Sequence, residues 1–309
     1  MDSLRHILVG VDYSPCAASA LREAARIASW NRASLLAVHV VLDEAVAEVK
    51  RLTGIDTAEL LEGRKLRLQR FVDETLGPDA AELLQLRAII GHPFQEIMAL
   101  VEDRDVGLLV LGSHGAEHPE PKITGTLATK CVRKAPCRVL LVRESQSESF
   151  QRVTVAVDFS PTSRQALHDA ARIARQDRAE LLVVHVYAPA WKHFLAEGEQ
   201  LPVSPQQAAA YLREVESQLA DFTYETLEEY EGITTSAEVI EAVSPAVGLI
   251  RFLTERQADL AVIGTRGASQ LDVVLLGSTA ERVIYDSPCS VLTIKPEGFA
   301  FRLAPASPQ

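Results

Sequence analysis

Four cysteines in 309 residues, with no CxxC pair and no metal-finger spacing, leave the chain without a disulfide framework or a cysteine-rich metal site. Cys16, Cys131, Cys137 and Cys289 read instead as reduced thiols, mostly buried. No apolar run reaches the roughly 18 residues of a membrane span, and Met1 to Asp12 lacks the long apolar region of a signal peptide. The expected setting is therefore the cytoplasm, with no membrane partner. Positive charge is also short. The 31 Lys and Arg against 42 Asp and Glu give a net charge of -11, which argues against a nucleic acid partner because phosphate backbones are held through clustered cations. No Gly-Lys-[Ser/Thr] follows a glycine, so there is no Walker loop. Val9-Gly-Val-Asp-Tyr-Ser14 is neither the S-G-G-x-D-S loop of ATP pyrophosphatases nor an H-I-G-H-type signature of nucleotidyltransferases.

What is present is a duplication. His6-Ile-Leu-Val-Gly-Val-Asp12-Tyr-Ser-Pro15 matches Arg152-Val-Thr-Val-Ala-Val-Asp158-Phe-Ser-Pro161, and Ala24-Ala-Arg-Ile-Ala28 recurs unchanged as Ala170-Ala-Arg-Ile-Ala174. The offset still holds at His39 and His185; six extra residues enter repeat 2 before its glycines. A repeat of this length, with 47% hydrophobic content, implies two domains that each build a core. The predicted boundaries are 1–143, a polar linker over 144–151, 152–296 and a tail over 297–309.

Each repeat alternates apolar strands with helical stripes. In the first, Ile7–Val11, Leu35–Val41, Leu83–Ile90, Val106–Leu111 and Arg138–Val142 read as strands. A helix follows Pro15, with Leu21, Ala24, Ala25 and Ala28 on its inner face. A long amphipathic stretch ends at Gly77-Pro78 and offers Leu61, Leu68, Phe71, Val72 and Leu76 to the core. Repeat 2 has an insertion around Trp191 to Pro205, then a helix carrying Tyr211, Leu212, Val215, Leu219 and Phe222. Near-continuously apolar strands separated by helices imply a parallel sheet covered on both faces.

Between the fourth strand and the helix after it, each repeat carries glycines at one spacing: Gly112-Ser-His-Gly115 then Gly125-Thr126, and Gly264-Thr-Arg-Gly267 then Gly277-Ser278. Strand ends in open α/β sheets are where ligands bind, and glycines leading into a helix N-terminus suit an anion, phosphate above all.

These residues resemble the universal stress protein family, whose pattern is G-x2-G-x9-G-[S/T] with an Asp after the first strand. Both repeats carry it, together with Pro136-Cys137 and Pro288-Cys289 before the last strand. The resemblance implies two tandem Rossmann-like domains of the adenine nucleotide alpha hydrolase type. Each would be a five-stranded parallel sheet of order 3-2-1-4-5 with helices on both faces. It implies ATP as ligand, alone or with Mg2+, and a nucleotide-dependent stress-response or regulatory role through a protein partner that the sequence does not name. Domains of this family often associate through their fifth strands, so a tandem chain can act as its own pseudo-dimer, with a further homodimer left open. Carried over by residue, Asp12 and Asp158 would sit beside adenine and ribose, with the backbone at Val40 and Val186 facing the base. Leu111 and Ile263 would line the nucleoside. Gly112, Gly115, Gly264 and Gly267 would present amides to ribose and phosphates, and Gly125, Thr126, Gly277, Ser278 and Thr279 would hold the phosphate tail.

Other readings stay open. Ser278-Thr-Ala-Glu281 is also a capping box, and Asp12 or Asp158 could cap the helix opened by the following proline. His39 and His185 read as structural strand histidines. His114 and His118 make a poor metal site. No general base beyond the two aspartates is apparent, so slow ATP hydrolysis is the most to expect, the alternatives being a low-turnover ATP-hydrolysing enzyme or a scaffold binding a non-nucleotide ligand in repeat 1. The repeats also differ. Between its second and third glycines repeat 1 holds Glu117, Pro119, Glu120, Pro121 and Lys122, whereas repeat 2 holds the single acidic residue Asp272. Acidic charge near a triphosphate is unfavourable, so the second site is expected to bind ATP more tightly.

Overall fold

The computed structural model describes residues 4–81, 84–115, 124–144, 149–187, 189, 191, 203–266 and 276–300. The chain divides into two compact units whose main bodies are residues 2–148 and 149–297.

In the first unit β1 (His6–Gly10), β2 (Ser34–Val41), β3 (Gln85–Ile90), β4 (Leu108–Gly112) and β5 (Arg138–Val142) form a wholly parallel sheet. Its order is β3-β2-β1-β4-β5. Helix α1 (Pro15–Asn31) connects β1 to β2; α2 (Asp43–Thr53), α3 (Thr57–Leu76) and the single turn α4 (Pro78–Ala81) lie between β2 and β3; α5 (Pro93–Asp103) and α6 (Thr126–Lys134) follow β3 and β4. The second unit repeats the plan. Strands β6 (Arg152–Ala156), β7 (Glu180–Tyr187), β8 (Thr235–Glu241), β9 (Leu260–Gly264) and β10 (Ser290–Ile294) stand in the order β8-β7-β6-β9-β10. Its helices are α7 (Pro161–Asp177), α8 (Pro205–Leu227), α9 (Pro245–Glu255) and α10 (Ser278–Asp286).

Right-handed crossovers explain the two-sided cover. The chain moves outward from β1 to β3, then returns past β1 to β4 and β5, so the helices of the two journeys fall on opposite faces. α1 packs on α3, and α5 packs on α6. Central strands are accordingly apolar on both sides: Leu8, Val9, Leu109 and Val110 are fully buried, as are Val153, Val155 and Val262. The direction reverses between β1 and β4 and between β6 and β9. That opens a crevice at the C-terminal strand ends in each unit.

The long amphipathic stretch of repeat 1 is two helices rather than one. Gly54, in the left-handed region at φ 72°, ends α2, and Asp56 caps α3 by accepting from the Ala58 amide. Leu68 and Val72 are completely buried, while Leu61, Phe71 and Leu76 are half-buried. In α8, Val215, Leu219 and Phe222 reach the core, while Tyr211 is 46% exposed. The linker is also less loose at its end than its composition implies. Phe150 is buried, its amide donates to Asp177 Oδ2 at 2.9 Å, and the Gln151 and Arg152 amides donate to the Asp259 carboxylate at 2.7 and 3.1 Å. All four cysteines are buried thiols outside any disulfide.

Candidate functional site

Each site is built outward from the Asp that follows the first strand. Asp12 Oδ1 accepts from the Ser14 amide at 3.0 Å and from Ser14 Oγ at 2.6 Å, which is an Asx turn. Ser14 Oγ in turn accepts from the Ala17 amide at 3.1 Å and caps α1. Repeat 2 copies this: Ser160 donates twice to Asp158 Oδ1, at 3.1 and 2.6 Å, and caps α7 through the Ser163 amide. The aspartates are therefore not the helix caps. They hold the caps, and each carboxylate is set by a turn tied to its own helix.

The turn forces its middle residue into the left-handed region, at φ 67° for Tyr13 and 64° for Phe159. Aromatic residues seldom adopt that conformation, and it costs roughly 1–3 kcal/mol. It brings each ring onto a strand histidine: Tyr13 and His39 have centroids 4.5 Å apart, as do Phe159 and His185. The histidine completes the brace. Nδ1 of His39 lies 2.8 Å from the Val11 carbonyl, and Nδ1 of His185 lies 2.8 Å from that of Val157. A carbonyl only accepts, so each Nδ1 donates and each ring is fixed in one tautomer. Burial, with the nearby Arg64 and Arg67, holds His39 below the usual histidine range against the opposing Val11 hydrogen bond and Asp12. This bears out a bracing role for the histidines, and both also line the clefts.

The glycines divide into two kinds. A Cβ on Gly112 would lie 3.0 Å from Cys16 Cβ and 3.1 Å from the Ala17 nitrogen, and one on Gly264 would lie 3.0 Å from Thr162 Cγ2. These positions need glycine because the strand end presses on the first turn of α1 or α7. A Cβ on Gly115 would meet Asp12 Oδ2 at 2.8 Å, so that glycine lies directly against the carboxylate. Gly125 and Gly277 are different. Their dihedrals, φ -61° with ψ 150° and φ -61° with ψ 143°, suit any residue. Among the described residues the nearest neighbour of an added Cβ is an ordinary contact, 3.7 Å for Gly125 and 3.4 Å for Gly277.

Gly125 and Gly277, with no side chain to offer, are the N-caps of α6 and α10. Their own amides donate back to Ser113 and Thr265 carbonyls at 2.8 and 2.9 Å, so those amides are already engaged. Ser278 is the first helical residue, not the cap, and the capping-box reading fails because Gly277 takes that place and its carbonyl accepts from the Glu281 amide at 2.8 Å. The amides of the first helical turn therefore point to the cleft without an intrahelical acceptor. These helix starts can receive an anion.

In repeat 2 the cleft has a volume of ≈ 310 Å³ and gathers Asp158, Val186, Ile263, Gly264, Gly277, Ser278 and Thr279. In repeat 1 it is ≈ 160 Å³ and gathers Asp12, Val40, Leu111, Gly112, Gly115 and Gly125, with Leu127 at its helix end. Thr126 is exposed and is not part of that lining. Gly267, His118, Lys122 and the contrasting loops 116–123 and 267–275 lie outside the described residues. Arg266 lines the second cleft and was not singled out from the sequence, although it stands inside the Gly264-Thr-Arg-Gly267 motif. Its counterpart His114 is buried, with Nδ1 2.6 Å from Ser113 Oγ, and burial, reinforced by Arg143, lowers its pKa. No cluster of three or more His, Cys, Asp or Glu able to hold a metal occurs among the described residues. No described helix is long and apolar enough to cross a membrane.

Comparison with known proteins finds relatives along the whole chain. A universal stress protein of Methanocaldococcus jannaschii is 32% identical over 147 residues, 47% of this chain and 82% of that protein. One from Mycobacterium tuberculosis is 28% identical over 294 residues, 90% of this chain and 92% of its own. The crystal structure of a universal stress protein from Archaeoglobus fulgidus, 21% identical, has the same fold over 96% of this chain and 99% of its own, with a TM-score of 0.63. The model of the universal stress protein family matches twice, over residues 3–143 and 149–295. With one match in each repeat, the chain belongs to the universal stress protein family.

Proposed function

We propose that the protein binds adenine nucleotide in these clefts, ATP foremost, and acts as a nucleotide-dependent regulatory protein of the stress response in the cytoplasm. The observation that carries this reading is Gly277. Neither its backbone conformation nor its described neighbours require glycine there, yet it stands at the mouth of a helix start that lines the second cleft. A phosphate group close to the backbone supplies the missing reason. Asp12 and Asp158 supply acceptors for ribose hydroxyls or the adenine amino group, and the apolar Leu111 and Ile263 suit the nucleoside. Mg2+ would come with the triphosphate and be held mainly by its oxygens, because the described residues offer no ligand cluster of their own.

Among the described residues the candidate bases of each cleft are already engaged. Each aspartate is tied into an Asx turn, and each histidine's Nδ1 is committed to a carbonyl. The direct test is to denature freshly purified protein and analyse the supernatant for released nucleotide, followed by calorimetric titration of the nucleotide-free chain. Adenine nucleotide in the supernatant, with saturable rebinding, is the expected outcome. No released nucleotide and no binding at millimolar ATP would sink the proposal.

A further inference from the structure

We infer that the two clefts divide the ligand between them: the second takes a nucleoside polyphosphate, and the first takes the nucleoside alone, without a phosphate chain. The inference rests on the nucleotide reading and adds the ligand class of each cleft. The nucleoside ends match, since the Asx turn, the braced histidine and the apolar residue before the glycine loop recur in both repeats.

The phosphate ends do not match. At the first turn of α10, Ser278 and Thr279 both line the cleft, and both are hydroxyl residues that can donate to phosphate oxygens. At the first turn of α6, Leu127 stands where Thr279 stands and Thr126 is outside the lining. A phosphate against Leu127 loses water and gains no donor from that side chain. The glycine loops diverge in the same sense. Arg266 lines the second cleft, and its residue type carries a guanidinium, the strongest phosphate partner among side chains. His114 instead turns into the protein, is 8% exposed and bonds with Ser113. Among the described lining residues each cleft carries one aspartate, Asp12 or Asp158, and only the second adds a cationic residue, Arg266. Size follows the same order, ≈ 310 Å³ against ≈ 160 Å³.

The test is calorimetric titration of the nucleotide-free full chain with adenosine and, separately, with ATP. Adenosine should fill two sites per chain and ATP one, at concentrations up to about ten times its dissociation constant. The double variant Arg266→His with Thr279→Leu rebuilds the second phosphate end on the pattern of the first. It should lower the ratio of ATP to adenosine affinity by about ten- to a hundredfold, the value of charged hydrogen bonds to phosphate. Two equivalent ATP sites, a single adenosine site, or an unchanged ratio in the double variant would each overturn the division of ligands and leave the nucleotide reading standing. Binding of neither ligand to the wild-type chain overturns both. The wild-type stoichiometry requires no variant to fold.

Discussion

Glycine serves two purposes within each glycine loop, and substitution separates them. At Gly112 the added methyl of Gly112→Ala would press on Cys16 and the Ala17 amide inside ordinary van der Waals contact, at 3.0 and 3.1 Å. That overpacking should cost roughly 1–3 kcal/mol in denaturant unfolding, with or without ligand. Gly277→Val should behave differently. Its branched side chain stands where phosphate and backbone meet, so it should abolish most of the rise in melting temperature caused by ATP, while Gly125→Val removes little. A ligand at one hundred times its dissociation constant stabilises the folded state by about 2.7 kcal/mol, enough to read. Each variant is compared with its own unliganded melt, and the reverse pattern would assign the stronger site to repeat 1. A second residue-scale expectation concerns Cys131. Burial, with a small contribution from Cys137, pushes its thiol from 9.0 up to about 12. The folded state thus holds the proton more tightly than the unfolded chain, and this contribution to stability is whole below about pH 9 and fades as pH rises toward about 12. Denaturant midpoints at pH 8 and pH 10.5 should fall further for wild type than for Cys131→Ala.

At the scale of the element, the helix that follows each first strand begins through a serine that an aspartate holds in place. Ser160→Ala removes the cap of α7 and one of the hydrogen bonds on Asp158, so stability should drop by about 1 kcal/mol, within the 0.5–2 range of lost caps. Equilibrium unfolding in urea measures it, and no change would mean that the cap carries no weight. The strands were legible because their apolar runs are nearly unbroken: Arg138–Val142 was placed to the residue, and β4, expected over Val106–Leu111, runs from Leu108 to Gly112. The helix break at Gly54 was not legible, because the stretch around it keeps a helical stripe on both sides. The capping-box alternative at Ser278 failed for another reason. Ser-x-x-Glu is a sound cap signal locally, but the Gly277 amide is drawn to Thr265 across the loop, and nothing nearby in sequence announces that contact. The left-handed Tyr13 and Phe159 were hidden likewise, since an aromatic residue gives no sign that an Asx turn will twist it.

For the whole molecule, duplication was the most legible property, because two imperfect copies checked each other wherever one copy alone was ambiguous. Asp12 gained weight from Asp158, and Gly125 from Gly277. Divergence between the copies was less legible: Arg266 and Leu127 lie at positions whose orientation only the folded loop and helix define. As a whole the protein is expected to turn over ATP far below the ~10 per second typical of enzymes. A phosphate-release assay checks this, and rapid release that disappears in Asp158→Ala would favour the enzymatic reading. The anchored end of the linker also gives the chain a mechanical character. Asp177 and Asp259 grip the three amides of Phe150, Gln151 and Arg152, immediately before β6, which lies between β7 and β9. A pull along the linker therefore loads two carboxylate clasps first and the central strand only after they yield, so the second unit has a strain relief at its point of entry.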